Sequence, residues 1–115
     1  MIKFIAHIFE GFRLLWTMPK PEKCLQEKVS IKRAEEIQKD FWEQFKDDDN
    51  YELIISEHKE WKRNKWKPFI AKLKDVDELW HFKSPSIYWE HLMGREGFAI
   101  LRDGKRIHYI DTIIS

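Results

Sequence analysis

The dipeptide Asp103-Gly104 constrains the fold more than any other feature of the sequence, because it lies between two runs of alternating apolar and polar residues. A two-residue type I′ turn needs positive φ at both central residues, and Asp-Gly adopts that conformation at little cost. The pattern therefore predicts a hairpin of strands 97–102 and 105–114. The turn length also sets the register and predicts three facing pairs, which are Arg102 with Lys105, Ile100 with Ile107, and Phe98 with Tyr109.

A further strand and a short helix are predicted before the hairpin. Residues 78–83 are rich in aromatic side chains, which favour strands. Ser84-Pro85 is typical of a helix start, with a hydroxyl for capping and proline at the first helical position. The helix is predicted over 87–93, and we expect Gly94 to end it in the left-handed conformation.

The residues between the N-terminal segment and this C-terminal part show helical periodicity. Ser30 is the predicted N-cap of a helix over 31–46, and a second helix is predicted over 51–65. Apolar residues also alternate within 51–57, so a strand is the alternative there. Pro68 is expected to end or kink the second helix. The predicted fold class is α+β, with a helical N-terminal half packed on a small antiparallel sheet of about three strands.

Residues 1–18 have the pattern of an amphipathic helix. This segment is too short and too often interrupted by polar residues to cross a membrane, and no signal-peptidase site follows it. We expect it to dock on its own domain or to form a homodimer, rather than to bind a membrane surface. Its polar residues lie on one helical stripe, formed by Lys3, His7, Glu10, Arg13 and Thr17.

The length of 115 residues predicts one domain. Its expected parts are the helix 1–18, a linker 19–29, a helical part 30–75, and a strand, helix and hairpin part 76–115. The 21 basic and 20 acidic residues nearly cancel, so the whole chain has no field of one sign. Cys24 is the only cysteine, which excludes an internal disulfide and favours the cytoplasm.

The stretch 59–74 combines seven basic residues with interleaved aromatic ones, against one acidic residue. Single-stranded nucleic-acid sites use this combination for phosphate contacts and base stacking, and an acidic protein partner is served equally well. The alternative is an amphipathic helix with buried aromatic residues and solvated lysines. The candidate binding surface consists of Lys59, Lys62, Arg63, Lys65 and Trp66.

The histidines, carboxylates and Cys24 show no spacing typical of a metal site or of nucleophilic catalysis. We therefore expect no catalytic residue, no metal and no cofactor. A second candidate cluster, either structural or functional, consists of His81, Trp89, His91 and Arg95.

The residues from Asp77 onward contain a series of short motifs. They are Asp77-Glu78-Leu79-Trp80, Phe82, Ser84-Pro85, Trp89-Glu90-His91-Leu92, Gly94-Arg95, Gly97, Arg102-Asp103-Gly104 and Ile110. In these residues the chain resembles a family of short uncharacterised bacterial proteins. The resemblance covers the last third of the chain. It implies a helical N-terminal part, a strand, a Ser-Pro helix and a final hairpin, and it implies no activity.

The absence of chemical motifs together with abundant amphipathic surface favours a small protein-interaction or inhibitor module without catalysis of its own, in a role such as immunity or defence. The first alternative is a nucleic-acid-binding module acting through 59–74. The second alternative is an enzyme whose site is assembled from scattered residues.

Overall fold

The structure is a computed structural model that describes residues 20–114. Residues 1–19 and Ser115 are not described, so the predicted helix 1–18 lies outside the described residues.

The described part of the chain is organised by one antiparallel sheet of four strands, in the order β1-β2-β3-β4. The α+β class and the C-terminal hairpin are confirmed, but the sheet has four strands and not three. The additional strand, β1, occupies part of the predicted linker 19–29. Buried and exposed residues hardly alternate along β1, where Val29 is the only buried residue. The strands are β1 (Leu25–Val29), β2 (Glu78–Lys83), β3 (Arg95–Arg102) and β4 (Lys105–Ile114).

In residues 20–114, three helices follow β1, and a fourth lies between β2 and β3. Within residues 20–114, β1 precedes every one of these helices, so the described helices do not form a separate N-terminal half. Residues 51–57 form part of a helix, as predicted, and not the alternative strand. The helices are α1 (Ile31–Glu43), α2 (Tyr51–Trp61), α3 (Lys67–Ile70) and α4 (Ser86–Glu90), with a 3-10 turn at Pro21–Lys23.

The ends of α1 and α2 follow from local chemistry. Ser30 caps α1 as predicted, because its Oγ accepts a hydrogen bond from the Arg33 N–H at 3.0 Å. A π-helical turn, Lys62–Trp66, joins α2 to α3. Pro68 lies in the first turn of α3 directly after the π-helical turn, so the helical run continues through Pro68 and does not end there.

The helices α1 to α3 cover one side of the sheet, which we call the helix-covered face. Its buried cluster consists of Val29, Ala34, Trp66, Phe69, Leu79, Phe98 and Ile100. The other side, which we call the opposite face, carries a second buried cluster of Cys24, Phe82, Ala99 and Leu101. Successive residues of β3 alternate between these two clusters, as side chains of a strand do.

The hairpin turn forms as predicted, since Asp103 has φ 53° and Gly104 has φ 76°. Arg102 pairs with Lys105, but a bulge follows between Ile100 and Leu101 and moves the register by one residue. The other two predicted pairs are therefore wrong, because Ile100 faces His108 and Phe98 faces Ile110. The same shift turns Tyr109 to the opposite face, against Phe82.

The connection between β2 and β3 differs from its prediction in two details. Ser84 does not cap α4, since its Oγ bonds the backbone of Arg95, accepting from N–H at 2.8 Å and donating to the carbonyl at 3.0 Å. The left-handed residue after α4 is Leu92, with φ 57°, and not Gly94. Gly94 is needed for space, because a Cβ there would overlap the ring of Trp89.

An ion pair joins the residue before β2 to the end of β3. The guanidinium of Arg102 donates to both carboxylate oxygens of Asp77, at 2.7 and 2.9 Å. This pairing, with a further hydrogen bond from the Lys74 N–H, lowers the pKa of Asp77 to about 2.

Candidate functional site

A groove of about 720 Å³ lies between α1 and α2, and we call it the α1–α2 groove. Its volume lies within the range of about 300–1,000 Å³ that is usual for ligand sites. The apolar and aromatic part of its lining comes from the facing sides of both helices. That part consists of Ile31 and Trp42 on α1, and of Tyr51, Ile55 and His58 on α2.

A row of stacked rings connects the groove with the core. Trp42 meets His58 across the two helices, with ring centroids 5.1 Å apart. His58 stacks on Trp61 at 5.7 Å, Trp61 stacks on Trp66 at 6.4 Å, and Trp66 contacts Phe98 edge-on at 5.3 Å. Because each ring packs on the next, this aromatic row holds α2 against α1 and both helices above the sheet.

Trp42 and His58 also line a smaller cavity of about 270 Å³ on the side toward Thr112. The two side chains therefore form a wall between this cavity and the α1–α2 groove. Burial lowers the pKa of His58, and the nearby Lys62 lowers it further. The wall is thus uncharged at neutral pH, which keeps this part of the groove apolar.

The rim of the groove carries charges of both signs. Lys62 bridges from the π-helical turn to Glu35 of α1, with 2.7 Å between Nζ and Oε2. The rim therefore offers both positive and negative side chains for pairing with the charges of a bound group. The charged rim residues are Lys32, Lys39, Lys59 and Lys62 with Glu35, Glu36 and Glu43.

The residues of the candidate binding surface predicted within 59–74 differ in their exposure to solvent. Lys59, Arg63 and Lys65 are exposed, whereas Lys62 is half-buried beside Glu35. Trp66 is only 2% exposed and belongs to the core. Its ring is therefore not available on this surface, because the π-helical turn directs it toward Phe98.

The second predicted cluster is split by the sheet. His81 lies on the helix-covered face, where its ring packs on Phe98 and its Nε2 is 2.9 Å from Glu96 Oε2. Trp89 is held at α4 by a 3.0 Å hydrogen bond from its Nε1 to the Ser84 carbonyl. His91 directly follows α4.

Arg95, the fourth member, lies on the opposite face. Its guanidinium donates two hydrogen bonds of 2.9 Å to Asp111 and lies 4.9 Å from the ring centroid of Tyr109. The hydrogen bonding to Asp111 raises the pKa of Arg95. Since His81 and Arg95 are on different faces, the predicted cluster does not form one site.

Among residues 20–114, no three His, Cys, Asp or Glu side chains are close enough together to hold a metal ion. None of the helices in this part of the chain is long and apolar enough to cross a membrane.

Comparison with known proteins gives no matching family model, no matching curated protein and no matching solved structure. The resemblance of the last third of the chain to short bacterial proteins therefore stays a prediction.

The α1–α2 groove is the site that the sequence does not reveal. Periodicity indicates which residues share a helix face, and it places Tyr51, Ile55 and His58 together. It does not show whether two such faces close on each other or leave a space between them. The sequence feature that points toward the groove is the presence, on both helices, of aromatic residues next to charged ones.

Proposed function

We propose that the protein is a binding module whose α1–α2 groove receives a segment of a partner protein. The observation that carries the proposal is the groove itself, with apolar walls and a rim of both charge signs. A small protein-interaction or inhibitor module, in a role such as immunity or defence, is the function that the sequence favours. Cytoplasmic location stays a prediction.

A helical or extended partner segment matches the shape of a groove between two helices. Its apolar side chains would contact Trp42, Tyr51 and Ile55, and each large one that becomes fully buried contributes about 1.5–3 kcal/mol. Its charged side chains would pair with the rim, which determines specificity and association rate more than affinity.

The test compares the wild-type chain with the groove variant Ile55→Asp and the control Leu53→Asp. Leu53 lies on the same helix, is 59% exposed and does not line the groove, so the control introduces the same charge elsewhere. Each chain is immobilised, cell extract is passed over it, and bound proteins are quantified by mass spectrometry. Circular dichroism verifies that all three chains are folded.

We expect at least one protein to be retained by the wild type and the control and lost with Ile55→Asp. That protein, once purified, should bind the groove variant at least about tenfold more weakly in a titration, as expected when about 1.4 kcal/mol of apolar contact is lost. Identical bound proteins for all three chains would contradict the proposal.

Nucleic-acid binding is the second candidate, because Lys59, Arg63 and Lys65 are exposed and make no ion pair with another described residue. Their neighbours Trp66 and Phe69 are buried and offer no stacking surface. Fluorescence anisotropy with a labelled single-stranded oligonucleotide tests this function. Phosphate contacts would give an affinity that falls steeply with salt, and that slope would flatten when the three charges are removed. No binding at low salt would exclude it.

Catalysis by scattered residues, the second alternative, stays a prediction.

A further inference from the structure

The two faces of the sheet differ in what covers them within residues 20–114. The buried cluster of the opposite face, with its flanking residues Leu25 and Trp80, includes no residue of α1 to α4. The element that contacts β2, β3 and β4 there is the 3-10 turn Pro21–Lys23, whose Pro21 is fully buried. Four strands spaced about 4.8 Å apart make a face roughly 19 Å wide, which three residues cannot cover.

The chain reaches the described part of the structure at this face. Lys20 directly precedes the turn, and its carbonyl is 3.6 Å from the Sγ of Cys24, which belongs to the buried cluster. Glu22 fixes the turn to β4, with 2.9 Å between its Oε2 and the Nε of Arg106. Only Pro19 and Lys20 separate segment 1–18 from the turn, so the opposite face is within reach of the C-terminal end of this segment.

The length of segment 1–18 matches that face, and its apolar side matches the apolar centre of the face, formed by Phe82, Ala99 and Leu101. As a helix, 18 residues are about 27 Å long, which is close to the length of the eight-residue strand β3 at about 3.4 Å per residue. One stripe of the predicted helix is polar, and the rest is apolar. The apolar residues are Ile2, Phe4, Ile5, Ile8, Phe9, Phe12, Leu14, Leu15, Trp16 and Met18.

We propose that segment 1–18 of the same chain packs its apolar side on the opposite face of the sheet. The stripe of Lys3, His7, Glu10, Arg13 and Thr17 then faces water. The α1–α2 groove lies on the other side of the sheet and remains free for a partner. This inference stands independently of the proposed function.

Photo-crosslinking of the full chain tests the proposal. Three single replacements by p-benzoylphenylalanine are made at aromatic or apolar positions with different surroundings. Tyr109, which is 44% exposed, probes the opposite face, Tyr51 probes the groove, and Leu53 is the exposed control. After irradiation, monomeric and dimeric bands are separated and their tryptic peptides are identified by mass spectrometry.

The proposal predicts that position 109 crosslinks to peptides of residues 1–18 within the monomer band, and that positions 51 and 53 do not. Crosslinks from position 109 to residues 1–18 only in the dimer band would overturn it in favour of a second copy of the chain. Crosslinks from position 51 would place the segment in the groove, and they would also overturn it. No crosslink from 109 in a chain with wild-type circular dichroism refutes it as well.

Discussion

Replacement of Trp66 by alanine should destabilise the protein more than any other single change within 59–74. The ring is 2% exposed and contacts three aromatic neighbours at centroid distances of 6.4 Å (Trp61), 5.7 Å (Phe69) and 5.3 Å (Phe98). These contacts join the helices to the sheet. Loss of a buried Trp side chain costs about 3–5 kcal/mol from the lost burial and the remaining cavity.

The assay is urea unfolding of wild type, Trp66→Ala and Trp66→Phe, followed by circular dichroism. For a small domain, the free energy of unfolding is about 5–15 kcal/mol, so a loss of 3–5 kcal/mol lowers the midpoint substantially. Trp66→Phe retains most of the apolar volume and should lose less than half as much. The variant Lys65→Ala, at an exposed neighbouring position, is the control and should change the stability by about 0.5 kcal/mol or less. A loss below about 1 kcal/mol for Trp66→Ala would refute the assignment of Trp66 to the core.

Three further predictions concern the turn and two titrating groups. Gly104→Val should lower the free energy of unfolding by about 1 kcal/mol or more, because φ is +76° there, and an unchanged melting temperature would contradict the turn. The pKa of Asp77 is about 2 in the folded state and near 4 in the unfolded one, so its contribution is complete above pH 4 and is lost as the pH falls toward 2. Wild type should therefore lose its stability advantage over Asp77→Asn across that window, and a constant difference would argue against the pair with Arg102. The pKa of His58 is lowered by folding, so protonation favours the unfolded state, and stability should fall as the pH drops below about 6.5. His58→Phe should reduce this dependence in thermal melts, and equal pH profiles would exclude His58 as its source.

The C-terminal part of the fold was predictable because its signals are local. Asp103-Gly104 determines a turn through the φ values that it tolerates, and the aromatic run of β2 has the same bounds in the prediction and in the structure. The register beyond Leu101 was not predictable, since a bulge depends on how both strands pack on the core.

The parts that the sequence did not reveal depend on tertiary contacts. Among the described residues, β1 is an edge strand that pairs only with β2, so it needs little apolar alternation. Cys24 beside it is buried although its surroundings are typical of a linker. The candidate site was not predicted for the same reason, since it also depends on tertiary contacts. Its residues lie on predicted helix faces, but the space between α1 and α2 depends on how the two helices pack on each other and on the sheet.

Hydrogen–deuterium exchange of the full chain, with and without the partner captured through the groove, tests the central claim most directly. If the α1–α2 groove is the binding site, amide protection should increase in α1 and α2, and the variant Ile55→Asp should show no such increase at the same partner concentration. Protection confined to the sheet, or to the exposed basic residues Arg63 and Lys65, would contradict it.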